Sequence, residues 1–252
     1  MTSEPRTLPA PHMPSVRAAA LSDIGRVRRE NEDRYMRDCD TMLFGVADGV
    51  GGLPGGAEAA ELAVREITGG VETLAPGAEP DLARLVERAN KAVAKLGMTL
   101  SPAMGIGTTL TFGCIRGSAF HIAHVGDSRC YLARKGEFFR VTEDHSVENE
   151  ARLRRSRGEV VRYHEANRNA LTRCIGQPSR VQVDVISRPL AVGDRFLFCT
   201  DGVTRLVPDS ELAAIIFRHP EPEPALKEIV ATALANGGVD NATGVLVYID
   251  AL

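Results

Sequence analysis

Apolar and polar residues follow two rhythms along this chain. Short runs rich in Val, Ile, Phe and Thr predict strands over 18–22, 42–47, 108–116, 119–125, 130–134, 138–141, 181–187, 195–199 and 244–249. Turn signals such as Arg116-Gly117-Ser118 and Arg134-Lys135-Gly136-Glu137 lie between several of them and predict antiparallel hairpins. A longer period appears at Leu82, Leu85, Val86, Ala89, Val93 and Leu96, and again at Leu226, Ile229, Val230, Ala233 and Leu234. These are the stripes of helices buried along one face. Shorter helices are predicted over 57–67 and 210–217. The hairpins come in groups with helices between them, which disfavours a doubly wound parallel sheet and leaves a mixed α and β fold.

Composition narrows the reading. A chain of 252 residues, 44% of them hydrophobic, can bury one large core. The balance of 30 basic against 33 acidic residues offers no general attraction for nucleic acid or an anionic membrane, so recognition of a phosphate has to be local. The longest apolar runs, 196–199 and 244–249, fall far short of the ~20 residues of a membrane helix. Residues 1–14 contain four prolines and no apolar core of a secretory signal. They are expected to form a loose tail before a domain spanning 15–252. Five cysteines in no CxxC pair fit small buried side chains in a reducing cytoplasm, with a redox role for Cys174 or Cys199 as the alternative.

Asp48, Asp201 and Asp240 each sit beside a strand-like run, and the first two are followed at once by glycine. A carboxylate at a strand end is rigidly held, and acids gathered there repel one another unless a cation neutralises them. Oxygen ligands without nearby Cys or His pairs suit Mg²⁺ or Mn²⁺ rather than Zn²⁺. The neighbouring words sharpen this. In order along the chain come Arg28-Arg29-Glu30-Asn31-Glu32-Asp33, Val46-Ala47-Asp48-Gly49-Val50-Gly51-Gly52, Gly107-Thr108-Thr109-Leu110, Val125-Gly126-Asp127-Ser128-Arg129 and Asp144-His145-Ser146. Leu171-Thr172-Arg173, Cys199-Thr200-Asp201-Gly202-Val203 and Asp240-Asn241-Ala242-Thr243 complete the series. The chain resembles, over roughly residues 18–250, the metal-dependent serine/threonine phosphatases of the PP2C (PPM) family.

The resemblance implies an α+β fold, a four-layer αββα sandwich of two antiparallel sheets flanked by helices, with the metal site at one end. It implies two Mn²⁺ or Mg²⁺ ions, with Asp48 bridging both, the Gly49 carbonyl serving one, and Asp201 and Asp240 binding the other. Asp127 resembles the ligand of a third, weaker ion shared with Asp201; a turn cap or an ion pair is the alternative reading. Glu32 and Asp33 resemble the acidic pair that orients the attacking water, and they also fit an exposed charged turn. Arg28 matches the arginine that grips the phosphate, with Arg29 beside it as a competing candidate.

Val50 stands where many eukaryotic members carry a histidine, so leaving-group protonation has to come from water. Aryl phosphates, which need little protonation, are therefore expected to lose less rate than phosphoserine peptides when the site is perturbed. Segment 146–169, carrying Arg152, Arg154, Arg155, Arg157, Arg162 and Arg168, corresponds to the flap beside the family's active site. It reads equally as a mobile element that meets the phosphopeptide or as a solvated helix face. Gly105-Ile106-Gly107-Thr108-Thr109 lacks the ending of a P-loop and predicts a turn into a strand. His121, His124 and His145 predict core or turn histidines rather than ligands.

The implied activity is hydrolysis of phosphoserine and phosphothreonine in proteins, in a bacterial cytoplasm, opposing a serine/threonine kinase. A catalytically silent module that binds a phosphoprotein or kinase is the alternative, although such modules usually lose a metal acid and all three stand here. A metal-dependent nuclease would need a basic track that net charge −3 does not provide.

Overall fold

In the strand Arg195–Cys199, successive side chains serve two different cores. Phe196 and Phe198 point into one apolar cluster, Leu197 and Cys199 into another. The period of two along a strand with both faces covered explains why this run carries no polar break. The computed structural model describes residues 14–51, 54–75 and 78–252. Of the expected N-terminal tail, residues 1–13 lie outside the described residues, and Pro14 is buried.

The elements in chain order are β1 Ser15–Asp23, β2 Asp33–Asp38, β3 Leu43–Asp48, α1 Gly56–Glu72, α2 Leu82–Leu100, β4 Leu110–Arg116, β5 Ala119–Val125, β6 Arg129–Arg134 and β7 Glu137–Arg140. They continue as α3 Val147–Ser156, β8 Asp184–Pro189, β9 Arg195–Cys199, α4 Asp201–Thr204, α5 Asp209–Arg218, α6 Pro222–Ala235 and β10 Ala242–Ala251. Two antiparallel five-stranded sheets result, ordered β1-β10-β9-β6-β7 and β2-β3-β4-β5-β8. Phe44, Phe120, Phe196 and Phe198 fill the space between them, with Phe120 meeting Phe196 edge-on at 4.7 Å and Phe198 at 5.6 Å. Helices α1 and α2 cover the outer face of one sheet, and α5 and α6 that of the other. The fold is the expected four-layer sandwich. Among the described residues no helix is long and apolar enough to cross a membrane.

Three departures from the expectation have their reason in burial. Strand β2 lies at a sheet edge, with Met36 alone of its apolar residues turned into the core and Tyr35 exposed, so its charged sequence hides its periodicity. Strand β8 begins at Asp184, because Val181 packs against α2 before sheet pairing starts. Helix α3 lies within the charged 146–169 segment and buries only Asn149 and Ala151, which leaves almost no apolar stripe to read. Of the cysteines, Cys114, Cys130 and Cys199 are buried as expected, while Cys39 is exposed in the turn after β2.

The layers place several strand ends together. The last residue of β3, the first of β2, the two residues after β9 and the approach to β10 all lie at one end of the sandwich, where the two sheets meet.

Candidate metal centre

Asp48 closes β3, and its backbone is pinned on both sides. Its N–H donates to Thr109 Oγ1 at 2.9 Å, and its carbonyl accepts from Thr109 N at 2.8 Å and Thr108 Oγ1 at 2.9 Å. The side chain of Asp48 is thereby held directly across the sheet from Asp33, the first residue of β2. Two carboxylates opposite one another in an antiparallel pair repel, which marks this as a place that needs a counter-charge. Thr200 Oγ1, just beyond the end of β9 in the other sheet, donates to Asp33 Oδ2 at 2.9 Å. Asp33 Oδ1 is buried without a partner.

Gly49 follows Asp48 for a reason the sequence does not carry. A Cβ there would stand 2.5 Å from the backbone of Gly56, where α1 begins, so the glycine allows the helix to pack against the strand end. Gly202 plays the same part for Asp201: a Cβ would fall inside the carbonyl oxygen of Asn241. That contact sets Asp201, the first residue of α4, beside Asp240.

Asn241 is the peg of this end of the molecule. Its Nδ2 donates to the carbonyls of Ile24 and Glu30 at 2.8 and 3.0 Å, and its Oδ1 accepts from Glu32 N at 2.9 Å. The loop carrying Arg28 and Glu32 is thus tied to the residue next to Asp240. Arg28 reaches Asp240 Oδ2 at 2.8 Å and stands 3.8 Å from Glu32, whereas Arg29 is exposed, which separates the two candidates.

Arg28, Asp48, Gly49, Asp127, Asp201 and Asp240 line one cleft of about 380 Å³, with Val50, Thr109, Asn169–Leu171, Cys174 and Arg205 completing it. Glu32 and Asp33 lie behind that wall. Asp127 comes from the turn after β5, where Gly126 at φ +114 lets the chain bend against Thr109. Its cationic neighbour is Arg205, one helical turn beyond Asp201: the guanidinium pairs with Asp201 and stands 3.7 Å from Asp127 Oδ2. Arg129, adjacent to Asp127 in sequence, points away to a bidentate pair with Asp144. The i, i+4 spacing of Asp201 and Arg205 was the one signal in the sequence for this residue. Asn241 stood inside a recognised word, but nothing local marked its role.

The electrostatics agree with an anionic site. Burial, reinforced by Asp33, Asp201, Asp127 and Asp240, holds the Asp48 carboxyl well above its usual range. Burial pushes Asp33 up to about 7 against the opposing hydrogen bond from Thr200, with Asp201 and Asp240 adding to the rise. Asp127 is likewise pushed up to about 7 by burial and by Asp201, with Arg205 opposing. Among the described residues no three His, Cys, Asp or Glu side chains stand close enough together to enclose an ion as placed, since Arg28 and Arg205 draw Asp240 and Asp201 to themselves. The donor set nevertheless fits a hard divalent cation. It is all oxygen and outnumbers its guanidinium partners, and it includes a buried carboxylate oxygen with nothing bound to it.

The histidines are structural. His124 is buried, its Nδ1 2.8 Å from Thr111 Oγ1 and its Nε2 2.9 Å from the Glu143 carbonyl, and burial lowers it to about 3. His145 accepts from Gly126 N and faces Asp184 at 3.2 Å. Segment 146–169 contributes only its end, Asn169, to the cleft. Arg154 pairs with Glu159, and Arg155 donates to the Val161 carbonyl and lies over Tyr163, so these cations serve their own segment.

The family model of protein phosphatase 2C matches residues 36–242. The chain belongs to the protein phosphatase 2C family. That membership makes it a metal-dependent protein serine/threonine phosphatase of the bacterial type. It is 33% identical over 240 residues to the serine/threonine phosphatase Stp of Listeria monocytogenes, covering 91% of this chain and 94% of that one. The structure of the Streptococcus agalactiae serine/threonine phosphatase superposes with a TM-score of 0.83 at 28% identity, over 94% of this chain and all of the other. The catalytic domain of the phosphatase PstP, solved in complex with two manganese ions, superposes with a TM-score of 0.79 at 29% identity, over 93% of this chain and 98% of that one.

Proposed function

We propose that the chain removes phosphate from phosphoserine and phosphothreonine side chains of proteins at a pair of Mn²⁺ or Mg²⁺ ions, within a domain spanning 15–252, in opposition to a serine/threonine kinase of a bacterial cytoplasm. Asp48, the Gly49 carbonyl, Asp201 and Asp240 would hold the two ions. The observation that carries the reading is the convergence of these residues, from three separate parts of the chain, on one cleft. A manganese pair in a relative of the same fold supports the choice of metal.

What the ions supply when bound is positive charge beside phosphorus and a water acidic enough to attack. Arg28 exchanges its bond to Asp240 for the phosphate oxygens, which its guanidinium fork fits. Asp33 keeps one oxygen fixed by Thr200 and leaves Oδ1 to orient the nucleophile. Val50 lines the cleft with no proton to give, and no histidine is among the lining residues, so the leaving alkoxide takes its proton from water. A third ion at Asp127 and Asp201 would compete with Arg205 for the same two carboxylates. Arg205→Ala should therefore raise the number of Mn²⁺ ions bound in calorimetry from two to three, and an unchanged count would remove the third ion from the proposal.

The deciding assay is phosphate release from a phosphothreonine peptide with Mn²⁺, comparing the native chain with Asp48→Asn. Release by the native chain alone supports the enzyme. Binding of the peptide without release by either protein would establish the silent module instead.

A further inference from the structure

Beside the catalytic cleft runs a second and larger concavity, of about 580 Å³. One wall is α2, which turns two stripes to two environments. Leu85, Val86, Ala89 and Val93 face the core, while Lys91, Ala94, Lys95 and Met98, at i, i+3, i+4 and i+7, face the groove. The opposite wall and floor come from 101–107 and 174–178. Gly105, at φ +74, and Gly176, at φ +103, bend these loops and keep the floor free of side chains, and a Cβ at Gly176 would strike the Ile106 carbonyl. The exposed lining is apolar: Met98 is 69% and Met104 63% exposed. Methionines on a groove are adaptable contacts for varied apolar partners.

We propose that this groove binds the polypeptide flanking the phosphoresidue, and that it selects substrates with an apolar side chain near an acidic one. The inference rests on the phosphatase reading and goes beyond it to substrate class. Two observations assign the occupant. The groove is continuous with the catalytic cleft, because Cys174 lines both and Gly107, beside it, abuts Val50 of the cleft. A chain whose phosphoresidue enters the cleft therefore has the groove as its neighbouring surface. Among the described residues, the only charged side chains on the lining are Lys91 and Lys95, in a protein whose net charge is −3. Lys91 pairs with Glu87 one turn back, and among the described residues Lys95 makes no ion pair. An acidic substrate side chain completes Lys95, and an apolar one covers Met98 and Met104. The volume suits such a segment, since ligand sites run from about 300 to 1,000 Å³.

The test uses two phosphothreonine peptides, one flanked by Leu and Glu and one by Ala and Lys, with p-nitrophenyl phosphate as a substrate too small to reach the groove. The native chain should prefer the Leu/Glu peptide by about tenfold in kcat/KM, the factor expected for burying one apolar side chain. Met98→Glu should abolish that preference through KM while leaving p-nitrophenyl phosphate hydrolysis and Tm unchanged. Lys95→Glu should shift the preference toward the Lys-flanked peptide. Equal kcat/KM for both peptides with the native chain would overturn the proposal, as would parallel loss on peptide and p-nitrophenyl phosphate in Met98→Glu. So would a dimer of the native chain that Met98→Glu dissolves, because the groove would then belong to a second copy. Fluorescence anisotropy of the labelled peptides reads the same preference without turnover, so a failure of catalysis and a failure of the groove remain separate results.

Discussion

Replacing Asp48 by asparagine should stabilise the metal-free protein while removing its response to metal. Asp48 and Asp33 are directly opposed across β2 and β3. Two charges ~5 Å apart at an effective dielectric constant of ~20 repel by ~3 kcal/mol. Part of that repulsion is relieved in the native protein by proton uptake, since Asp33 is pushed up to about 7 and burial raises Asp48 as well. A net gain of about 2 kcal/mol at pH 7.5 is therefore expected, or about 4–8 °C in Tm for a chain of this size. The new amide can also donate to the unpartnered Asp33 Oδ1.

The pH dependence has a definite sign. Asp33 and Asp127 stand at about 7 in the folded protein, above the ~3.9 of an unfolded aspartate, so the native state takes up protons as pH falls through 7. Asp48 is raised in the same direction, so the repulsion grows as pH rises through 7 and beyond and fades toward pH 4, where both carboxyls are protonated, and the advantage of asparagine should fade with it. Buried His124 and His145 titrate low and destabilise at acid pH in both proteins alike, so they cancel from the difference. In Mn²⁺ the order should reverse. A site filled at 100 times its Kd adds about 2.7 kcal/mol to the native chain, which the variant loses. Thermal melts in chelator and in Mn²⁺, at pH 7.5 and pH 5, read all four values. A variant that melts below the native chain in chelator at pH 7.5, or whose gain is undiminished at pH 5, would refute the electrostatic reasoning.

Asn241→Ala leaves Glu32 N and two carbonyls without their partner, and should cost about 2–3 kcal/mol in denaturant unfolding together with a fall in kcat as the Arg28 loop loosens. Gly202→Ala drives a methyl into the Asn241 carbonyl and should destabilise by about 3 kcal/mol, read as a lower urea midpoint with unchanged m. Arg154→Ala combined with Arg155→Ala should leave KM for a phosphopeptide within about twofold, because both cations bind within their own segment; a larger rise would restore segment 146–169 as a substrate contact.

Much of the architecture was legible because burial writes itself into a strand twice. β3, β9 and β10 separate two cores, so both alternating faces are apolar and the runs stand out. β2 and α3 escaped for the converse reason: an edge strand and a solvated helix bury too few side chains to leave a period. The acids of the site were legible through their Asp-Gly words, but the purpose of the glycines was not, since Gly49 and Gly202 answer to Gly56 and Asn241, distant in sequence.

Alone, the sequence determined which acids stand beside strand-like runs, which of those runs are buried on both faces, and the family to which the order of motifs belongs. The tertiary structure decided that Arg28 rather than Arg29 enters the cleft, that Asp127 meets Arg205 rather than its neighbour Arg129, and that an apolar groove adjoins the cleft of aspartates. Periodicity records whether a face is buried, and it is silent about which remote segment buries it. Charge partners and groove walls are set by that second fact, through sheet order and the approach of backbones that only a folded chain brings together.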